Sequence, residues 1–351
     1  METEGTERVR VSLDRAFKFI ESNRNADGLW SDFLTLAGES VYWVSGYVGY
    51  AASRYGSAPQ SGWLKEIGSR ILEHQGSEGG WGYGPGVPPD ADSTSWCLLF
   101  LSRLGIQSQE KRDKALLFLL SHQSQLDGGF KTYAAPRAIG RFMMLDEAVS
   151  FDGWASSQMC VTAVAARALV EAGSSRGVDE ALGHIRRGQT KDGYWNPYWW
   201  SERLYSTVNC MEVLKAKGED DARFSMAQAW IAETQLADGG WGDSKSVSSP
   251  FATALAVSGL LLAPRPAFSE NVRKKGVEYL LTSQLTDGSW SSHHILRIPH
   301  PSMKEPWNQS GWKPDGRAIG AVIRDHRRLY TTATALTALS RFERSSRGEP
   351  G

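Results

Sequence analysis

The residues best placed to do chemistry are the two carboxylates of Pro88-Pro89-Asp90-Ala91-Asp92-Ser93-Thr94-Ser95-Trp96. Asp90 and Asp92 stand at i and i+2, directly ahead of an apolar helical run, Cys97-Leu98-Leu99-Phe100-Leu101. A carboxylate at a helix start ordinarily caps free backbone N–H groups. It has a second use if the helix faces a dry interior. Burial disfavours the charged form and raises the pKa, so a buried carboxyl keeps a proton that it can hand to an alkene or an epoxide. Which use applies depends on where the rest of the chain puts this stretch.

The rest of the chain is a repeat. Gln, a few residues, Gly and Trp recur in Gln75–Trp81, Gln189–Trp195, Gln235–Trp241 and Gln284–Trp290, with degenerate copies at Gln123–Phe130 and Asn25–Trp30. Each copy follows an amphipathic run and precedes an apolar run of small residues, with Asp-Gly or Gly-Gly supplying the turn. The pattern predicts an all-α chain of six helical hairpins: 9–24 with 40–55, 62–75 with 92–104, 110–123 with 160–172, 177–189 with 205–217, 222–235 with 251–263 and 270–284 with 330–342. Ala- and Gly-rich second helices suit the crowded inside of a ring, so the expected fold is a single (α/α)6 toroid over 1–351. The Gln and Trp of the loops are expected to satisfy and cover helix ends rather than to react.

Counting back eleven residues from Gly56, Gly105, Gly173, Gly218, Pro264 and Glu343, where the second helices end, gives Ser45, Thr94, Thr162, Thr207, Thr253 and Thr332. Two residues before these lies a level of Trp43, Asp92, Cys160, Tyr205, Phe251 and Tyr330. One carboxyl then sits among four aromatic rings and a thiol. Ring faces stabilise cations by about 0.5–2 kcal/mol each. Four residues deeper, Trp96 joins Tyr47 and Asn209. Two residues towards the mouth, Asp90 shares a rim with Arg203 and Arg328, which either clamp an anionic head group or pair with Asp90, Glu202 or Asp325.

Two insertions stand out, about 131–159 and 291–329, in repeats opposite each other across a six-fold ring. The first contains Arg137, Arg141, Phe142-Met143-Met144 and Trp154. The second contains His293-His294, His300, Trp307, Trp312 and the run from Arg324 to Arg328. Loops this long are commonly lids.

Lys plus Arg equals Asp plus Glu at 39 each, so no net charge recruits nucleic acid. Cys97, Cys160 and Cys210 lack disulfide or zinc spacing, His293-His294 and His300 lie in a loop, and Asp220-Asp221 is followed by Ala-Arg-Phe-Ser rather than by a metal-binding Asp motif. No metal or cofactor is expected, although magnesium would accompany a diphosphate substrate. No signal-peptide or spanning pattern is present, so a cytoplasmic setting is expected; peripheral membrane contact, a protein partner or a homodimer are all compatible with the sequence.

The Gln…Gly-Trp loops together with Asp90-Ala-Asp92-Ser-Thr94 resemble the terpenoid cyclase and prenyltransferase superfamily, and within it the squalene–hopene, oxidosqualene and class II diterpene cyclases. The resemblance implies protonation-initiated cyclisation of a polyprenyl or epoxidised prenyl substrate in a hydrophobic lumen by an isomerase or lyase. Asp92 corresponds to the proton donor of the family's Asp-x-Asp-Asp-Thr, Asp90 to its supporting carboxylate, and Ser93 stands in place of the third Asp. Trp43, Trp96, Trp154, Cys160, Tyr205, Phe251 and Tyr330 are then the expected substrate-binding residues, with Arg203 and Arg328 at the head group. The competing reading is a prenyl-, lipid- or peptide-binding toroid without catalysis. A glycosidase is disfavoured because Asp90 and Asp92 are too close for its usual carboxyl pair.

Overall fold

The computed structural model describes residues 2–56, 62–219, 222–244, 247–262 and 270–348; Pro264 and Asp220-Asp221 lie outside them. Among the described residues there are thirteen α-helices. The first repeat pairs α1 (Glu2–Ser22) with α2 (Tyr42–Ala52), and the second pairs α3 (Gly62–Glu73) with α4 (Ala91–Leu104). In the third, α5 (Gln109–Ser121) and α7 (Met159–Glu171) flank an extra short helix, α6 (Pro136–Phe142). Then come α8 (Val178–Gly188) with α9 (Arg203–Ala216), α10 (Ala222–Glu233) with α11 (Pro250–Leu260), and α12 (Glu270–Ser283) with α13 (Leu329–Ser346).

The second helices pack on one another in order, α2 on α4, α4 on α7, α7 on α9, α9 on α11 and α11 on α13; α13 then packs back on α2. Every residue of α2 and α11 is buried. Helices enclosed on all sides cannot be amphipathic, which explains their apolar, small-residue composition. At Gly46 of α2 an added Cβ would lie 2.7 Å from the backbone N of Cys97 in α4, so the two helices approach as closely as glycine allows.

The loops explain the repeat chemically. Each loop aromatic donates its backbone N–H to the register hydroxyl: Trp30 to Ser45, Trp81 to Thr94, Phe130 to Thr162, Trp195 to Thr207, Trp241 to Thr253 and Trp290 to Thr332, at 2.8–3.4 Å. The five indole N–H groups donate to the carbonyl ten residues earlier, at the end of the preceding helix, as Trp81 does to Ile71 at 2.7 Å. Each Gln side chain donates twice, to its own loop and to the start of the next repeat. Gln75 reaches Gly79 and Lys111, both at 2.9 Å, and Gln284 reaches Gly288 and Ser12, both at 2.9 Å. The last contact ties the sixth repeat to the first.

Gly288 sits at that seam with φ +90°, and an added Cβ would lie 2.5 Å from the carbonyl oxygen of Arg15. Backbone cannot give way as a side-chain tip can. Gly288→Ala should therefore cost about 2–4 kcal/mol in chemical denaturation. A loss below ~1 kcal/mol would mean that the seam relaxes freely.

The all-α expectation omits small β elements. Three antiparallel ribbons cross the loops: β1 (Asp32–Thr35) with β2 (Gly38–Ser40), β3 (Trp81–Gly82) with β4 (Pro89–Asp90), and β5 (Trp241–Ser244) with β6 (Val247–Ser249). The second insertion holds a three-stranded sheet, in which β9 (Ala321–Arg324) lies between β7 (His294–Ile298) and β8 (Lys313–Pro314). Strands of two to five residues carry too little alternation to be read from sequence. Helix α1 also starts before the expected 9 and α13 runs past 342.

Candidate active site

The two carboxylates take different tasks at the start of α4. Asp90, with extended φ −138° and ψ 162°, is the N-cap. Its Oδ1 accepts the Ser93 backbone N–H at 2.8 Å and its Oδ2 accepts the Ser93 hydroxyl at 2.6 Å. Capping is thereby complete, and Asp92 in the first turn is left over. Its Oδ1 is buried without a hydrogen-bond partner, and the side chain opens into a pocket.

Desolvation dominates both groups. It pushes Asp90 up to about 6 against the hydrogen bonds from Ser93 and the Asp92 backbone, which favour the anion. Asp92 is held well above the ordinary carboxyl range by desolvation first and by the nearby Asp90 charge second. The Trp43 indole N–H opposes this weakly, since its geometry falls short of a full hydrogen bond. A helix N-terminus favours an anion by only about 0.3–1 kcal/mol, too little to offset burial. For Asp90 the difference from 3.8 corresponds to about 3 kcal/mol of fold stability withheld above pH 6.

The pocket encloses about 680 Å³, its open mouth included. Asp92 and Trp43 form one side, Tyr83, Tyr133, Trp154 and Trp199 supply the aromatic walls, and Ile139, Met143, Leu296 and Ile298 the aliphatic ones. Both insertions thus contribute. They are also bonded to each other: the Gly153 and Trp154 backbone N–H groups donate to the Pro301 carbonyl at 2.8 and 3.0 Å, and the Trp154 indole donates to the Pro299 carbonyl at 3.1 Å.

The register level is assembled, but it is not all pocket wall. Tyr330 meets Trp43 and Phe251 with ring centroids 5.1 and 6.0 Å apart, and its hydroxyl lies 3.3 Å from that of Tyr205. Trp200 fills the centre. It stacks on Tyr205 at 4.0 Å and meets Phe251, Tyr330 and Trp43 at 5.4, 5.1 and 5.8 Å. Phe33, itself at φ 47°, adds a ring 5.3 Å from Tyr330. Tyr205, Phe251 and Tyr330, like Trp200, do not line the pocket, and Trp43 alone of that aromatic set does. Cys160 is buried, its thiol raised to about 11 by desolvation against donors from Trp199 and Tyr198. Trp96 lies one turn deeper and donates to the Tyr205 hydroxyl at 3.2 Å.

The two arginines expected at the rim are elsewhere. Arg203 is exposed and lies over the Tyr194 ring at 4.8 Å. Arg328 adopts φ 62° ahead of α13 and binds Asp287 at 2.9 Å and the Ser289 hydroxyl at 2.6 Å. Neither clamps the pocket mouth nor pairs with Asp90, because at the first turn of these helices the long side chains turn back over the preceding loop. The residues not anticipated are Phe33, Tyr83, Tyr133, Trp199 and Trp200. The run Tyr198-Trp199-Trp200 just ahead of α9 was the one available signal; the others sit on ribbons and loops with no periodicity.

Among the described residues no group of three or more His, Cys, Asp or Glu side chains is arranged to hold a metal ion, and no helix is long and apolar enough to cross a membrane. His294 instead faces Asp315 at 3.0 Å, and His300 the Ser302 hydroxyl at 2.7 Å.

The helical fold matches that of class II terpene cyclase structures. The type II terpene cyclase MstE from Scytonema, as a variant in complex with merosterolic acid A, superimposes with a TM-score of 0.89 at 29% identity, covering 98% of this chain and 100% of that one. Another MstE variant, in complex with geranylgeranyl dihydroxybenzoate, gives 0.88 at 29% identity over 98% and 99%. A protein from Actinoplanes gives 0.87 at 30% identity over 97% and 99%. The squalene-hopene cyclase C-terminal domain model matches residues 83–303, and the chain belongs to that family. Drimenyl diphosphate synthase of Streptomyces showdoensis is 30% identical over 235 residues, 64% of this chain and 40% of that enzyme. The chain spans less than half the length of the curated relatives it matches.

Proposed function

We propose that the protein is a class II terpene cyclase in which Asp92 protonates the terminal alkene or epoxide of a polyprenyl substrate carrying a polar head group. The observation that carries this reading is the division between the two carboxylates. Asp90 is consumed by the helix cap and Ser93, whereas Asp92 keeps its proton, has an oxygen without a partner, and faces a pocket of aromatic and aliphatic walls. Such walls stabilise a cation without capturing it, and they exclude the water that would end the cascade early. The six inner helices read as an (α/α)6 toroid, with the segments 131–159 and 291–329 acting as lids over its mouth. Trp43, Tyr83, Tyr133, Trp154 and Trp199 are assigned to substrate folding, and Trp200 with Tyr205, Phe251 and Tyr330 to the second layer beneath.

Purified protein incubated with polyprenyl substrates of different head groups should yield cyclised products, and Asp92→Asn should not. Cyclisation by Asp92→Asn at close to the wild-type rate overturns the reading. A prenyl ligand bound and recovered intact from the wild-type protein points to binding without catalysis.

Asp90 supplies a graded test. Above about pH 6 it is ionised, and its charge helps Asp92 hold its proton. Asp90→Asn removes the charge while keeping an oxygen for the Ser93 N–H. Asp92 should then ionise at lower pH, moving the alkaline limb of the kcat–pH profile downward. A limb that stays or moves upward contradicts the coupling.

A further inference from the structure

Two cavities share one side chain. Tyr133 lines the pocket over Asp92 and also lines a separate groove outside it. The groove, about 1090 Å³ with its open side included, runs along Leu117, Phe118 and His122, with Pro88 and Pro89 opposite and Ala134, Ala135 and Ala138 at its edge. Its floor is apolar, and its rim carries Glu78, Lys114 and Ser121. Leu117 stands 56% exposed in it.

Tyr133 is half-buried at the edge of the core. Among the described residues its hydroxyl has no hydrogen-bond partner, and its ring meets a single aromatic, Trp154, at 6.0 Å. The ring cluster that Trp43 joins offers no room, because Trp200 at its centre is 1% exposed and packed against four rings besides Phe33. A chain whose reacting alkene lies at Asp92 therefore finds room towards the mouth or towards Tyr133, and not towards Trp200.

We propose that Tyr133 is a gate between the catalytic pocket and the outer groove, and that the groove takes the non-reacting, polar-headed end of the prenyl chain. The apolar floor suits the methylene chain and the rim suits a hydrogen-bonding head. Chain-length preference is then set partly outside the pocket. This rests on the class II reading, and the test separates the two by measuring binding in a protein that does not turn over.

In Asp92→Asn protein, the affinities of farnesyl and geranylgeranyl dihydroxybenzoate are compared by calorimetry. Leu117→Trp narrows the groove at an exposed position, and an unchanged melting temperature confirms folding. It should weaken the geranylgeranyl ligand about tenfold and leave the farnesyl ligand unchanged. Tyr133→Ala should tighten the longer ligand selectively, Tyr133→Phe should not, and Leu117→Trp added to Tyr133→Ala should cancel the gain. Equal effects on both ligands, no effect on either, or failure of both to bind overturns the gate. Cyclisation by the Asp92→Asn protein at close to the wild-type rate overturns the class II reading instead.

Discussion

Asp92→Asn should lower cyclisation by about 10²–10⁴-fold, the usual worth of a positioned acid, and should at the same time stabilise the fold at neutral pH. The first effect follows because an amide has the size of the carboxyl but no acidic proton to give. The second follows from the raised pKa of Asp92. Below the unfolded value of 3.8 the group is protonated whether the chain is folded or not, and it costs nothing. As the pH rises past 3.8 the unfolded chain releases the proton while the folded chain keeps it, so folding loses stability steadily up to the raised folded value. Asn carries no such penalty. The melting temperature of Asp92→Asn should accordingly match the wild type below pH 3.8 and exceed it increasingly as the pH rises above that value. Activity and stability moving in opposite directions mark a strained functional group; a variant less stable at pH 7.5 would refute the burial argument.

Trp200→Ala should cost about 3–5 kcal/mol in stability, the range for emptying a packed aromatic site. Trp200 touches four rings of the register level and Phe33 besides, so its loss opens a cavity lined by Trp43, Tyr205, Phe251 and Tyr330. That cavity joins the pocket from below and admits water. The product mixture should shift towards incompletely cyclised and hydroxylated compounds, measured by mass spectrometry of extracted products. Trp200→Phe keeps a ring in the centre and should retain most of the stability and product pattern. Should Trp200→Ala produce the wild-type products at the wild-type rate, the aromatic layer has no part in the reaction.

The sequence was informative wherever the physics repeats. Ser45, Thr94, Thr162, Thr207, Thr253 and Thr332 could be aligned by counting back from the helix ends, and they share a hydroxyl because each offers it to the same loop N–H. That register put Asp92 level with Trp43, Tyr205, Phe251 and Tyr330 and separated it from Asp90. The helical hairpins were readable for the same reason, since helix periodicity and the Asp-Gly turns recur in copy after copy.

Register fixes height along a helix and says nothing of what non-repeating segments insert between helices. Trp200 and Phe33 enter the centre from a loop and a ribbon and pack on Tyr205, Phe251 and Tyr330, three expected wall residues that do not line the pocket. Arg203 and Arg328 sit at the right height with side chains directed elsewhere, because a long side chain at a helix start takes whichever partner its loop supplies, here Tyr194 and Asp287. The second insertion carries strands too short for alternation to announce, and the bonds between the two insertions through Gly153, Trp154, Pro299 and Pro301 join positions over a hundred residues apart. The chain by itself thus determined the circuit of helices and the one carboxyl on its aromatic level, as local patterns and repeats encode both. Tertiary structure alone decided which rings face the pocket, which of the two carboxylates the helix cap takes, and how the two insertions meet, since those depend on contacts between segments that share no pattern.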